Sequence, residues 1–331
     1  MTAAKTALVT GGAGYIGSHV ALALLGAGWT VVVIDDLSTG SRMLVPAEAV
    51  FVEGDIGDPA AIGETLGRYR PDVILHFAGS IIVAESVTEP LKYYRNNTAA
   101  SLTLIEAAVA HGVGSFVFSS TAAVYGVPER VPISENSLTA PINPYGASKL
   151  CTEFVLRDVA AATPMRYIAL RYFNVAGADP ACRTGETCHL ATHLVKIACE
   201  AVVGKRSHIA IYGDDYPTPD GTCVRDYIHV SDLADAHVTA VEHLLAGGAG
   251  GVFNCGYGHG YSVKEVIDVV QQVGGRLDVR LAPRRPGDPP VLTADSTRLC
   301  QDLGWRPKYD DLRFIVETAL VWERRLQTMA A

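Results

Sequence analysis

The sequence predicts an α/β fold, in which a doubly wound parallel sheet is covered by helices and a smaller, irregular α+β unit follows. Two observations lead to this prediction. Short runs rich in β-branched residues alternate with longer helical stretches through the first half of the chain, which is typical of a parallel sheet with helices on both faces. Beyond about residue 174, this alternation gives way to segments rich in glycine, proline and charge. We therefore expect two structural units.

The elements of the first unit can be predicted in chain order. The expected strands span residues 7–10, 31–35, 50–53, 73–77, 115–119 and 167–171, and the expected helices span 14–27, 59–69, 90–111 and 144–162. Two later helices are expected at 230–245 and 311–327. We expect one unit over residues 1–174 and another over 175–331, with residues 225–248 returning to the first.

Composition excludes several classes of function. Hydrophobic residues make up 49% of the 331 residues, which is enough for a sizeable core. A formal net charge of -8 argues against nonspecific nucleic-acid binding. No apolar run approaches the ~20 residues that span a bilayer. The seven cysteines are odd in number and show no C-x-x-C spacing, as in reduced cytosolic proteins. We expect a soluble, cytoplasmic protein without nucleic-acid or membrane partners.

One pair of histidines has the spacing of helical metal ligands. His189 and His193 are four residues apart, but Leu190 stands where the metalloprotease motif has glutamate. The spacing of the nearby cysteines does not match a zinc site. We therefore expect no bound metal.

A glycine-rich turn follows the first predicted strand. Gly11, Gly14 and Gly17 form a G-x-x-G-x-x-G motif before the first helix. Such glycines permit a tight turn and close approach of a pyrophosphate to the helix N-terminus. Asp35 ends the second strand, where a carboxylate accepts hydrogen bonds from adenosine ribose hydroxyls and repels a 2′-phosphate. The sequence therefore predicts a Rossmann-like unit that binds NAD rather than NADP.

We expect the cofactor to lie along the carboxyl ends of the strands, where open α/β sheets bind ligands. The residues expected to contact NAD are Gly11, Gly14, Tyr15, Ile16, Gly17, Asp35, Asp36, Leu37, Ser38, Thr39, Gly40, Asp55, Ile56, Phe77, Ala78, Gly79, Asn96, Thr121, Tyr145, Lys149 and Phe173.

Tyr145 and Lys149 are the candidate reactive groups. Their spacing places both side chains on one helix face. A nearby ammonium favours the phenolate and lowers the phenol pKa from its usual ~10, so that the tyrosine can exchange a proton near neutral pH. By itself the pair is also compatible with an ordinary exposed helix turn. Thr121, at the end of the fifth strand, adds a hydroxyl that could relay the proton.

A strand-end hydroxyl, Tyr and Lys behind an NAD motif resemble the extended short-chain dehydrogenase/reductase superfamily. The similarity runs nearly end to end, and the chain most resembles the UDP-sugar 4-epimerases. The matching blocks are TGGAGYIGSH (10–19), FVEGDI (51–56), HFAGS (76–80), ESV (85–87), YYRNN (93–97), FSSTAAVYG (118–126), NPYGASK (143–149), LRYFNVAGA (170–178), YPTPDGTCVRDYIHVSDLADAH (216–237), RRPGDPP (284–290) and LGWRP (303–307).

The resemblance implies an isomerase of nucleotide-sugar and galactose metabolism. It would interconvert UDP-glucose and UDP-galactose through a transient 4-keto sugar, with NAD tightly bound. Thr121 and Tyr145 would transfer the proton, and Lys149 would tune Tyr145 and bind NAD. The implied substrate contacts are Thr121, Tyr145, Asn174, His193, Leu194, Val195, Ala210, Ile211, Tyr212, Arg225, Arg285, Asp288 and Leu292. It also implies a homodimer formed by helices near 90–111 and 144–162.

Within the resemblance, Arg225 and Arg285 would bind the diphosphate, Tyr212 would stack on uracil, and Asp288 would reach the uridine ribose. Paired arginines suit two adjacent phosphates. Two positions depart from the best-known epimerases. Ile81 stands where several have a lysine near the NAD phosphates, and His193 replaces an asparagine of some members.

Alternative activities remain open at this stage. Sugar-nucleotide dehydratases have an Asp-Glu pair after the strand-end threonine, whereas Ala122 and Ala123 follow it here, so that elimination would lack its acid and base. Leu292 is intermediate between the large and small residues that control the sugar pocket. UDP-N-acetylhexosamine and UDP-xylose/arabinose therefore stay open as substrates. A non-catalytic NAD-binding protein is the alternative from a different class.

Overall fold

The structure is a computed structural model that describes residues 5–188, 191–285 and 287–330. Its strands are β1 (Thr6–Thr10), β2 (Thr30–Asp35), β3 (Val50–Glu53), β4 (Val73–His76), β5 (Ser115–Ser119), β6 (Arg166–Tyr172), β7 (Asn174–Ala176), β8 (Ile209–Tyr212), β9 (Val224–Arg225), β10 (Tyr227–His229), β11 (Gly251–Cys255), β12 (Tyr261–Ser262), β13 (Val279–Ala282) and β14 (Val291–Leu292).

The helices alternate with the strands in the first half of the chain. They are α1 (Tyr15–Gly26), α2 (Pro59–Tyr69), α3 (Val83–Thr88), α4 (Pro90–Tyr93), α5 (Ala100–Ala110), α6 (Pro144–Ala162), α7 (Leu194–Val202), α8 (Val230–Leu245), α9 (Val263–Gly274), α10 (Thr297–Asp302) and α11 (Leu312–Ala330). Short 3₁₀ segments lie at Arg42–Leu44 and Ala122–Tyr125, and a π-helical segment spans Tyr94–Ala99. This π-helical segment interrupts the single helix predicted at 90–111.

Seven parallel strands form the main sheet in the order β11-β6-β5-β4-β1-β2-β3. The strand order reverses between β4 and β1, so that the loops after these strands diverge and leave a crevice at their carboxyl ends. The predicted fold class, a doubly wound α/β sheet with a smaller second unit, is confirmed.

Both faces of the sheet are buried because side chains alternate along each strand. Leu8 and Val32 face a core that α2, α5 and α6 complete, whereas Val9 and Val33 face a core that α1 and α8 complete. The near-continuous apolar runs of β1 and β2 result from this double burial.

The seventh strand is contributed by the second half of the chain. Helix α8 packs beside α1 in the same core, and β11 then pairs in parallel with β6. Sequence analysis missed β11 because its five residues follow a glycine-rich turn and lack a strong β-branched run. The second half of the chain therefore contributes residues to the main sheet as far as Cys255.

The remaining elements form the second unit. Strands β8 and β13 pair in parallel, β12, β9 and β14 form a three-stranded sheet, and β10 pairs with β7. Helices α7, α9 and α11 enclose a core that includes Val195, Val266 and Ile315. In the part of the chain that the structure describes, no helix is long and apolar enough to cross a membrane.

Candidate active site

One cavity of about 1230 Å³ extends from the glycine turn after β1 to strands β8, β9 and β14 of the second unit. All but three of the residues expected to contact NAD or substrate line its wall. The exceptions are Leu37, Val195 and Ile211.

The three exceptions have their side chains in hydrophobic cores. Strand alternation turns Ile211 away from the cavity face that Ala210 and Tyr212 occupy, and Val195 is buried with Ile211 in the second core. Leu37 packs against the main core, and its backbone N–H donates to Asp35 Oδ1 at 2.9 Å. Strand alternation and packing decide which of these side chains face the cavity. The sequence blocks that carry the resemblance do not give this direction.

The glycine turn brings three backbone segments together. Gly11 has a φ of +68°, and a Cβ there would lie 2.5 Å from the backbone nitrogen of Ala78. A Cβ on Gly17 would lie 2.3 Å from the carbonyl oxygen of Gly11. Side chains at these positions would separate β1, β4 and α1. Their absence leaves a backbone cradle at the N-terminus of α1, which suits a pyrophosphate.

Asp35 organises the loop that borders this cradle. Its carboxylate accepts from the backbone N–H groups of Ala13 and Leu37, both at 2.9 Å. Burial raises the pKa of Asp35, and this effect exceeds the lowering of the pKa by the two hydrogen bonds. Gly40 approaches the same carboxylate, since a Cβ there would lie 2.8 Å from Oδ1. The glycine cradle and the carboxylate at the end of β2 together fit NAD.

Tyr145 and Thr121 meet where α6 begins. The Asn143 side chain caps α6 by accepting from the backbone N–H of Gly146 at 2.8 Å, and a proline occupies the first turn. A Cβ on Gly146 would lie 2.5 Å from the Ala123 carbonyl oxygen. This close approach brings Tyr145 near the Thr121 hydroxyl, which favours the phenolate and so lowers the phenol pKa.

The pKa values of Tyr145 and Lys149 differ from the sequence-based expectation. Burial raises the pKa of Tyr145, and the nearby Thr121 hydroxyl only partly opposes this. Burial also lowers the pKa of Lys149 to about 8, while its Nζ donates to the Ser119 carbonyl at 3.1 Å. The expected lowering of the Tyr145 pKa by Lys149 is therefore not found, since desolvation dominates at both side chains.

A buried polar network lies beneath these residues, and sequence analysis missed it. Arg171 Nε donates to Glu153 at 2.9 Å, Ser120 also bonds Glu153, and Arg171 Nη1 donates to Tyr125 Oη at 3.0 Å. Tyr125 Oη in turn donates to Asn254 at 2.7 Å. The network ties α6, β6, β11 and the segment after β5 together. The sequence signal for this network is weak, because β6 and α6 each contain other charged residues besides Arg171 and Glu153.

The far end of the cavity contains charged and aromatic groups from the second unit. Arg225 Nη2 contacts Asp288 Oδ1 at 2.5 Å, and the Arg285 guanidinium lies 3.9 Å from the centre of the Tyr212 ring. Leu292 pairs in register with Arg225 and packs against the buried cluster that contains Tyr125. Leu292 and Arg225, both of which line the cavity, are thus adjacent on β14 and β9.

His193 also lines this end of the cavity. Its Nδ1 lies 2.8 Å from Glu186 Oε1, and the negative charge of Glu186 raises the His193 pKa. Sequence analysis did not identify Glu186, which lines the same wall. His189, the other half of the spaced histidine pair, lies outside the described residues. Among those described, no group of three potential ligands could hold a metal ion.

These features define a dinucleotide-binding α/β protein with a Tyr–Lys pair in the middle of its cavity and two arginines and a tyrosine at the far end. The chain belongs to the NAD dependent epimerase/dehydratase family, which it matches over residues 7–256. It is 58% identical over 326 residues to a UDP-glucose 4-epimerase of Azospirillum brasilense, and the alignment covers 98% of this chain and 94% of that relative.

Two solved structures are similar over nearly the whole chain. A UDP-glucose 4-epimerase from Brucella ovis in complex with NAD is 47% identical, with a TM-score of 0.94 and coverage of 96% of this chain and 98% of that one. The UDP-Glc/GlcNAc 4-epimerase from Campylobacter jejuni is also 47% identical, with a TM-score of 0.86 and coverage of 97% and 99%.

Proposed function

We propose that the protein is an NAD-dependent isomerase that interconverts UDP-glucose and UDP-galactose by inverting the sugar at C4. The observation that carries this proposal is the continuity of one cavity from the glycine cradle, past Thr121 and Tyr145, to Arg225 and Arg285. Its volume of about 1230 Å³ exceeds the roughly 300–1,000 Å³ of a single ligand pocket. This supports simultaneous binding of a dinucleotide and a sugar nucleotide.

The cradle of Gly11 and Gly17 would hold the NAD pyrophosphate, and Asp35 would accept from the adenosine ribose. When bound, NAD⁺ would accept a hydride from the sugar carbon and return it to the opposite face. Apart from Leu37, the other expected cofactor residues also line this half of the cavity, and we propose that they contact NAD.

Tyr145 would remove the proton from the sugar 4-hydroxyl, with Thr121 hydrogen-bonded to the same oxygen. Because burial raises the pKa of Tyr145, the phenol needs a neighbouring positive charge before it can act as a base. The nicotinamide of bound NAD⁺ would supply that charge, and Lys149, whose pKa burial lowers to about 8, would add to it when protonated. Lys149 would also donate to the ribose next to the nicotinamide.

The far end of the cavity would hold the nucleotide part of the substrate while the sugar rotates. Arg225 and Arg285 would bind the diphosphate, Tyr212 would stack on uracil, and Asp288 would accept from the uridine ribose. The other proposed contacts are Asn174, His193, Leu194 and Ala210, all of which line the cavity. Because the uridine and the diphosphate do not react and stay bound, the 4-keto sugar can rotate and present its other face to the nicotinamide.

The size of the accepted sugar would depend on Leu292. This half-buried leucine is of intermediate size and, like Phe173, packs against the buried cluster around Tyr125. A second candidate activity, on UDP-N-acetylhexosamine or on UDP-xylose/arabinose, is therefore compatible with the site. Dehydration is disfavoured because Ala122 and Ala123 form the cavity wall after the strand-end threonine, where elimination needs an acid and a base.

We also propose that the protein forms a homodimer in the cytoplasm. Leu91, Leu102 and Phe154 are large apolar side chains exposed on α4, α5 and α6, and an unpartnered apolar surface of this kind supports an interface between copies. All seven cysteines are free thiols, which supports a reducing compartment. We further propose residues 1–174 and 225–255 as the cofactor-binding unit and the rest as the substrate-binding unit.

The experiment that tests the proposed function is incubation of the purified protein, without added NAD, with separate UDP-sugars. We expect proton NMR to show UDP-glucose and UDP-galactose approaching one equilibrium from both sides. Accumulation of a 4-keto-6-deoxy sugar would indicate a dehydratase instead. If no UDP-sugar reacts although NAD is bound, the non-catalytic alternative is correct.

A further inference from the structure

The cofactor half of the cavity contains few positive charges. Its wall carries Asp35, Asp36 and Asp55, while the dinucleotide that it is proposed to hold brings two more negative charges in its pyrophosphate. Positively charged side chains on this wall are therefore needed to offset the negative charge of the aspartates and the pyrophosphate.

Among the described residues, the lysines and arginines that line the cavity differ in the groups that they contact. Lys92 pairs with Glu85 at 2.6 Å, and Lys149 is buried against the carbonyl at the end of β5. Arg225 and Arg285 lie at the nucleotide-sugar end. Arg95 is exposed on the cavity wall, and within the described part of the chain its guanidinium makes neither an ion pair nor a hydrogen bond.

Two sets of contacts fix the position of Arg95 relative to the glycine cradle. Its neighbour Asn96 donates to Ser80 Oγ at 2.9 Å, and Asn97 accepts from the backbone N–H of Ser80 at 2.7 Å. The same loop reaches the cradle at Ala78, whose backbone nitrogen would lie 2.5 Å from a Cβ on Gly11. The π-helical segment after α4, which contains Arg95, is therefore fixed to the loop that borders the cradle.

We propose that Arg95 binds the pyrophosphate of the dinucleotide and supplies the positive charge that Ile81, on the same wall, does not. This inference rests on the proposed function, because it requires NAD in the cradle. A guanidinium can donate two parallel hydrogen bonds to phosphate oxygens, and it would add to the N–H groups and the dipole at the start of α1. Since Arg95 is exposed, solvent screens its charge, and we expect about a tenfold contribution to NAD retention.

The test measures release of NAD from the purified holoenzyme, by dilution, gel filtration and assay of the dinucleotide that remains bound. We expect Arg95→Gln to release NAD about tenfold faster at low salt, and added salt to accelerate release from the wild type more than from the variant. Ile81→Lys in the Arg95→Gln background should restore slow release. Arg276→Gln is the matched control, because Arg276 is exposed and does not line the cavity.

Equal release rates for the wild type and a folded Arg95→Gln variant would overturn the role of Arg95 and leave the proposed function intact. Failure of Ile81→Lys to slow release in the variant would also overturn it, because the missing group would then not be a charge at this wall. A wild-type protein that retains no dinucleotide and epimerises no UDP-sugar would overturn both proposals.

Discussion

The buried ion pair beneath the active site yields the sharpest stability prediction. Arg171 and Glu153 keep only 6% and 4% of their side-chain surface exposed, and their closest nitrogen and oxygen atoms are 2.5 Å apart. Burial opposes the charge on Arg171, but the hydrogen bonds and charge of Glu153 outweigh it and raise the Arg171 pKa. Glu153→Gln keeps the shape of the side chain and removes the negative charge, which leaves Arg171 buried without a counterion.

The size of the effect can be estimated from general values. Removing one partner of a buried ion pair costs about 3–5 kcal/mol. The unfolding entropy of about 2.1 cal/mol/K per residue gives roughly 0.7 kcal/mol/K for a chain of this length. We therefore expect Glu153→Gln to lower the melting temperature by about 4–7 °C.

The assay is differential scanning calorimetry with NAD in excess for every variant. The control lies on the same helix, where the pair Arg157–Asp158 is more than half exposed at 2.9 Å. Asp158→Asn should lower the melting temperature far less than Glu153→Gln, because solvent screens this exposed pair. Replacing both buried partners, as in Glu153→Met with Arg171→Met, should be less harmful than Glu153→Gln alone, because no unpaired charge remains.

A melting temperature for Glu153→Gln within about 1 °C of the wild type would refute this reasoning. Such a result would mean that water or another group stabilises the buried positive charge of Arg171. A double variant that is much less stable than Glu153→Gln would instead show that the pair contributes net stability and not only a penalty when broken.

Three further predictions concern turnover. Tyr145→Phe should lower kcat by about 10²–10⁴-fold, because it removes the proton-transfer group, while NAD remains bound as judged by dinucleotide released on denaturation; wild-type-like turnover would exclude this role. Protonated His193 should favour the anionic nucleotide, so that affinity is lost as pH rises through its pKa, which Glu186 raises above 6.5. Glu186→Gln should lower that pKa and move the rise in KM to lower pH, and an unchanged KM–pH profile would contradict the assignment. Leu292→Tyr should reduce the activity ratio of UDP-N-acetylhexosamine to UDP-hexose about tenfold, and an unchanged ratio would show that Leu292 does not control sugar size.

Elements with strong local signals were predicted well. The bounds of α2 and α6 match the prediction residue for residue, because Asp58 and Asn143 cap these helices and a proline begins each one. The six predicted strands correspond to β1–β6 and match them to within one residue at each end. Strand β11 was missed because its five residues follow a glycine-rich turn and lack a strong run of β-branched residues.

The sequence by itself determined the parts of the site whose geometry is local. The glycine turn, the carboxylate of Asp35 and the four-residue spacing of Tyr145 and Lys149 each depend on a few consecutive residues and on the element that they form. The glycine turn and Asp35 were enough to predict the cofactor, and the alternation of strands and helices was enough to predict the fold class.

Only the tertiary structure decided how those groups behave together. It buries Tyr145 and Lys149 so that desolvation, rather than their mutual charge, sets the direction of both pKa shifts. It also pairs Arg171 with Glu153 and places Arg95 on the cofactor wall. Burial and charge pairing depend on segments that meet only after folding, which is why these properties cannot be read from the spacing of residues along the chain.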